Sequence, residues 1–217
     1  MICYIRIIDT KGSAPMDRRL LEKDIIVFDI GNVLVRFDPH QIVKGYFPPE
    51  REVELYNAVF ASGLWPIIDT GLMTNGDLAL MMCRAAHTDR PEDYLAICDL
   101  LDTFYEHECP LNASKWLPEL KKMGKKLYYL SNYASPALER TMRRFPFFQL
   151  MDGGVVSGRE HVCKPAPRIF RILCERYGFE PADALFIDDT LINVEAARAE
   201  GFSVWHYTDG SAEDVPD

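Results

Sequence analysis

Ile25-Ile26-Val27-Phe28-Asp29-Ile30-Gly31-Asn32-Val33 is the run that sets the reading of this chain. Four consecutive apolar residues end in an acid, and a Gly-Asn pair follows. An unbroken apolar run, rather than an alternating one, predicts a short strand buried on both faces, as in a parallel sheet. The acid at its end then falls where open α/β sheets bind ligands, in the crevice outside the carboxyl ends of the strands.

Working outward, four further runs repeat the pattern: Leu127-Tyr128-Tyr129-Leu130, Val155-Val156, Ala184-Leu185-Phe186-Ile187 and Ser203-Val204-Trp205-His206-Tyr207. Helix signals lie between them. Ser135-Pro136 reads as an N-cap followed by proline in the first helical position. Residues 165–177 carry Ile169, Phe170 and Leu173 at helical spacing and stop at Gly178. Residues 193–200 stop at Gly201, and 114–123 at Gly124, as helices ending in glycine do. This alternation predicts an α/β protein with a parallel-sheet, Rossmann-like core and helices on both faces.

Residues 41–110 break the alternation, with helices expected at 49–60, 77–87 and 91–106. Thr74 and Asp77 make a capping box for the second. In the third, Tyr94, Ile97, Leu101 and Phe104 repeat at three- and four-residue steps and form one apolar face. The expected organisation is an extension at 1–23, an α/β core from 24–40 and 111–217, and an inserted all-helical cap at 41–110. A helical bundle packed on the sheet away from the crevice is the alternative.

The 217 residues give room for one sizeable domain with an insert. Lys and Arg number 24 against 33 Asp and Glu, a net charge of −9. That balance argues against nucleic acid as a partner, since such binding needs a basic surface. It leaves room for a small anion in a local basic pocket. No apolar stretch is long enough to span a bilayer, and the N-terminus lacks the apolar core of a secretory signal. Met16 is a second candidate start, which would leave residues 1–15 as a loosely attached extension. Six scattered cysteines with no close C-x-x-C pair are expected as reduced thiols, and the protein as cytoplasmic. Cys83 with His87, and His107 with Cys109, lack zinc-type spacing and read as packing residues.

The chemistry-bearing residues fall at strand ends. Asp29 follows the first apolar run, Ser131-Asn132 the second and Asp188-Asp189 the fourth, while Lys164 precedes the helix near Pro165. One such residue is commonly a turn or cap. Together, in this order, they direct Asp, Ser/Asn and Asp-Asp toward one crevice.

On these residues the chain resembles the haloacid dehalogenase-like hydrolase superfamily over roughly residues 24–207. Ile26-Val27-Phe28-Asp29-Ile30-Gly31-Asn32-Val33 matches its first motif, Leu130-Ser131-Asn132 the second, Lys164-Pro165 the third, and Phe186-Ile187-Asp188-Asp189, with Asn193 beyond, the fourth. The insert resembles the family's cap of the first type. The resemblance implies a Mg²⁺-dependent phosphatase, monomeric or homodimeric, acting on a small phosphorylated metabolite through a phospho-aspartate at Asp29. It implies metal ligation by Asp29, the Gly31 carbonyl and Asp189, with Asp188 behind them; either of the acidic pair can be the direct ligand, and Asp189 is favoured by its register with Asn193. Ser131 and Asn132 would bind phosphate, and Lys164 would balance charge.

Gly31 departs from the family pattern, which carries there a second Asp that shuttles protons. A carbonyl remains, but acid–base help of typically ~10²–10⁴-fold must come from elsewhere or be missing. Asp38 is one candidate, against its reading as a cap of the turn entering the insert. The Asp-x-Gly-Asn-Val form resembles a branch acting on sugar phosphates, whose leaving groups at the anomeric position need little protonation. Trp65 and Asp69, in the turn-rich stretch 64–71, are expected to touch substrate, with packing inside the cap the alternative for Trp65. Two rivals share the scaffold: a metal-independent haloacid dehalogenase, and a catalytically quiet binding protein.

Overall fold

The computed structural model describes residues 16–208. The reading of residues 1–15 as an extension lies outside the described residues. All five apolar runs are strands: β1 Ile25–Phe28, β2 Lys126–Ser131, β3 Gly153–Val156, β4 Ala184–Asp188 and β5 Ser203–His206. They form one parallel sheet in the order β3-β2-β1-β4-β5. At the centre Phe28 pairs with Tyr129 on one side and Ile187 on the other. The ladder runs on into the site, because the Asp29 N–H donates to the Ile187 carbonyl at 2.8 Å.

Between β1 and β2 the chain is helical: α1 Pro39–Ile42, α2 Glu52–Tyr56, α3 Trp65–Thr70, α4 Asn75–Ala85 and α5 Pro91–Thr103, with a π-type turn at Asn57–Ala61 after α2. Then come α6 Leu117–Lys122, α7 Ser135–Arg144, α8 Ser157–Glu160, α9 Pro167–Tyr177 and α10 Leu191–Ala199. Side chains alternate across the sheet. Ile26, Phe28, Leu127, Leu185 and Ile187 pack with Leu117 and Leu120 of α6 on one face. Val27, Tyr128, Leu130 and Phe186 pack with Ile169, Phe170 and Leu173 of α9 on the other. Each such buried side chain stabilises the fold by about 1.5–3 kcal/mol relative to exposure. Among the described residues no helix is long and apolar enough to cross a membrane.

Several helix ends differ from the sequence expectation, each for a local reason. Ser135 is the first residue of α7 rather than its cap, and its buried Oγ has no hydrogen-bond partner. Pro136 has no N–H, so one donor that a capping side chain would serve is missing. Helix α9 starts at Pro167, two residues late, because the Lys164 backbone is bonded on both sides to Asn132. Helix α10 starts two residues early, just after the Thr190 N–H donates to Asp188 Oδ1 at 2.8 Å. The stretch 64–71, expected as loop, holds α3, with Pro66 in its first turn and Gly71 at its end with φ +65°.

Helix α4 begins as expected. The Asp77 N–H donates to Thr74 Oγ1 at 3.1 Å, and the Thr74 hydroxyl donates to Asp77 Oδ2 at 2.6 Å. In α5, Ile97, Leu100 and Leu101 are buried together with Phe104 just beyond it.

Two glycines bring the helical segment onto the core. A Cβ on Gly71 would lie 2.5 Å from the Gly158 carbonyl oxygen in α8, and one on Gly158 would lie 2.8 Å from the Tyr133 carbonyl. Beside this contact His161 Nδ1 donates to the Thr70 carbonyl at 2.9 Å. The approach holds α3 against the core beside the end of β2.

Candidate active site

A cleft of about 200 Å³ opens at the carboxyl ends of the strands. Its lining brings together Asp29, Gly31, Ser131, Asn132, Lys164 and Asp189 from the core with Trp65 and Asp69 from α3. Of the residues predicted from sequence, Asp38 lies outside that lining, and so does Asp188. Its side chain is fully buried beside the cleft.

Each residue is set by its strand end. Asp29, 7 % exposed, follows β1, and Lys164, 4 % exposed, reaches it from the segment before α9. The Lys164 ammonium lies 2.9 Å from Asp29 Oδ1 and 2.6 Å from Asp188 Oδ2. The Ile30 N–H also donates to Asp29 Oδ1, at 2.7 Å, so Oδ2 takes neither of these donors. Asp188 is engaged on both oxygens, by Lys164, by the Thr190 N–H, and by the Asn193 amide at 3.2 Å to each. Asp189 is more open: the Asn32 amide donates to Oδ2 at 3.2 Å and the Thr190 hydroxyl to Oδ1 at 3.3 Å.

The Asn132 side chain grips the Lys164 backbone, which is joined to Pro165 by a cis peptide bond. Asn132 Oδ1 accepts from the Lys164 N–H at 2.7 Å, and its amide donates to the Lys164 carbonyl at 2.9 Å.

Charge is concentrated and poorly hydrated here. Burial pushes the Asp29 carboxyl up to about 7; Lys164 and a Ser131 hydrogen bond oppose this, while Asp188 and Asp189 add to it. Burial also raises Asp189, reinforced by Asp188. For Lys164, burial disfavours the ammonium, but Asp188 and Asp29 outweigh it and hold its pKa above the ordinary lysine value. Asp69 is pushed to about 7 by burial first and the Asp29 charge second, with Lys164 opposing.

Sequence reasoning missed part of the lining. Phe37, Phe104, Tyr133, Glu108 and Thr190 also face the cleft, as do Asn32 and Asn193, which the first and fourth motifs had named without a role. Trp65 packs on Phe60, Phe104 and Phe37 with ring centroids 4.6, 5.3 and 5.4 Å apart, so it belongs both to the helical segment's packing and to the cleft. Glu108 is held by the Tyr133 hydroxyl and by Thr141 Oγ1 at 2.8 Å, and burial raises it to about 7 against those two bonds. Tyr133 follows Ser131-Asn132 directly, so the strand-end rule extended by one residue would have found it. Asp38 caps α1, accepting from the His40 and Gln41 N–H groups at 3.0 and 3.2 Å.

Asp29, Asp188 and Asp189 each offer a carboxylate oxygen within 4.8 Å of the others. Such a set of hard oxygen donors, with one ammonium to balance it, fits a small divalent cation of the Mg²⁺ type.

Comparison with known proteins agrees with this geometry. The chain is 31 % identical over 96 residues to a sesquiterpene phosphatase of Aspergillus oryzae, covering 44 % of this chain and 49 % of that protein. It is 25 % identical over 120 residues to an (S)-2-haloacid dehalogenase of Burkholderia cepacia, covering 55 % and 52 %. The matches thus span about half the length of each of these relatives. Among solved structures, a HAD family enzyme from Bacteroides thetaiotaomicron in complex with magnesium and inorganic phosphate has the same fold. The TM-score is 0.67 at 19 % identity, over 87 % of this chain and 96 % of that one. The family model for haloacid dehalogenase-like hydrolases matches residues 23–201, and the chain belongs to that family.

Proposed function

We propose that this hydrolase is a Mg²⁺-dependent phosphomonoesterase that acts on a small metabolite through a phospho-aspartate at Asp29. The observation that carries this reading is the packing of Asp29, Asp188 and Asp189 within 4.8 Å beside a buried ammonium. A cluster of that charge is costly unless a cation joins it. Asp29, Asp189 and the Gly31 carbonyl are the groups assigned to the metal. Asp188, with both oxygens engaged, orients Lys164. Bound there, Mg²⁺ supplies neutralisation of the phosphate charge. Asp29 Oδ2 attacks phosphorus, Lys164 steadies Oδ1 and a phosphate oxygen, and Ser131 and Asn132 bind the remaining phosphate oxygens.

The lining also limits the leaving group. Among the described residues Lys164 is the one cation of the lining, against Asp29, Asp69, Glu108 and Asp189. That balance favours a substrate without a second anionic group. The rings of Trp65, Phe37 and Phe104, with two carboxyls beside them, suit a neutral group with an apolar face, and sugar phosphates are a first panel. The assay is phosphate release from neutral-leaving-group esters with Mg²⁺ and with EDTA. Activity is expected only with Mg²⁺ and is lost in Asp29→Asn. The dehalogenase relative supplies the second reading, and halide release from 2-haloacids that persists in EDTA would establish it instead.

A further inference from the structure

Expelling an alkoxide from phosphorus requires a proton, and the cleft holds few groups free to give one. Gly31, next to the nucleophile's strand end, has no side chain. The Lys164 ammonium is shared between Asp29 and Asp188. Both Glu108 oxygens are occupied, by Tyr133 and Thr141, and the Tyr133 hydroxyl is engaged by Glu108 and Thr141. Asp189 and Asp29 are assigned to the cation and the attack. Asp69 remains. It faces the cleft from α3, and no hydrogen bond holds its carboxyl among the described residues.

We propose that Asp69 gives the proton to the leaving oxygen and then takes one from the attacking water. The inference rests on the phosphatase reading above. In the first half-reaction an Asp29 oxygen bonds to phosphorus while the bond from phosphorus to the leaving oxygen breaks. The electron pair stays on that oxygen, which takes the Asp69 proton. In the second, water bonds to phosphorus, the bond to Asp29 breaks, and the water's proton returns to Asp69. Inorganic phosphate leaves and both carboxyls are as they began.

The surroundings suit a group that must be protonated first and ionised next. Burial and the facing Asp29 charge bring its pKa to about 7, with Lys164 opposing. Both the Cys163 thiol and the Tyr133 phenol are raised chiefly by burial, with the Asp69 charge adding to it. The contact between Gly71 and Gly158 and the bond from His161 to the Thr70 carbonyl fix the end of α3 one and two residues beyond Asp69.

The test compares kcat/KM of the Mg²⁺-loaded wild type and Asp69→Asn on two esters of similar size. One is 4-nitrophenyl phosphate, whose leaving group departs without a proton. The other is 4-nitrobenzyl phosphate, whose alkoxide needs one. Because kcat/KM reports steps up to the first irreversible one, it isolates leaving-group departure from later hydrolysis. The variant is expected to lose ~10²–10⁴-fold on the benzyl ester and far less on the phenyl ester. The ratio between esters, taken within one preparation, does not depend on how much of the variant is folded. An unchanged ratio overturns the assignment of Asp69 while leaving the phosphatase reading intact. A wild type inert toward both esters with Mg²⁺ overturns both.

Discussion

Lys164 balances two carboxylates with one ammonium, 2.9 Å from Asp29 and 2.6 Å from Asp188. Removing one member of a buried ion pair strands the other, at a cost of about 3–5 kcal/mol. Lys164→Met is therefore expected to be inactive and to unfold at markedly lower denaturant; an unchanged midpoint would show that the two acids do not need this partner. Gly31 offers the opposite experiment, because a Cβ built there meets nothing within 4 Å. Adding Gly31→Asp to Asp69→Asn is expected to restore turnover of 4-nitrobenzyl phosphate by at least tenfold of the ~10²–10⁴-fold lost. At this scale the sequence displayed the polar groups attached to strand ends, since a strand end fixes where its next residue points. Trp65 and Asp69 were singled out while their helix was not. Phe37, Phe104 and Glu108 were not visible as site residues, because the first lies far in sequence from the other two and they meet only once the helical segment has folded.

The five strands were legible because continuous apolar runs of four or so residues leave little else for the backbone to do when both faces are covered. Helix α3 was not. Six residues opening on Trp65-Pro66 form no convincing helix in isolation, and short helices depend on tertiary packing. Here Ile68 is buried and Trp65 stacks into the aromatic cluster. The same element shows how finely the site is placed. Gly71 needs φ +65° and approaches Gly158 too closely for any side chain. Gly71→Ala is expected to cost about 1–3 kcal/mol in stability, the range for strained left-handed backbone, and to shift α3. Since Asp69 and Trp65 ride on that helix, KM and kcat should both worsen. A variant with wild-type kinetics would show that α3 does not need its seat on α8.

Taken whole, the molecule carries Asp29, Asp69 and Glu108 with carboxyls pushed up to about 7, each chiefly by burial. In the unfolded chain such groups titrate near ~4. Between about pH 4 and 7 the folded state therefore holds protons that the unfolded state releases, and stability falls as pH rises through that window. Denaturant midpoints of metal-free protein are expected to be lower at pH 8 than at pH 5.5, with a shallower decline in Glu108→Gln. Mg²⁺, which favours ionised Asp29, should raise the midpoint more at pH 8 than at pH 5.5; equal increments would deny that its binding displaces a proton. The seat of α3 on α8 has one more consequence, for what keeps that helix in place. Its polar tie is the single bond from His161 to the Thr70 carbonyl, and one such bond is worth only about 1 kcal/mol net. A tie that weak leaves the seat to the close approach of Gly71 and Gly158, so backbone fit rather than bonding sets where α3 carries its side chains.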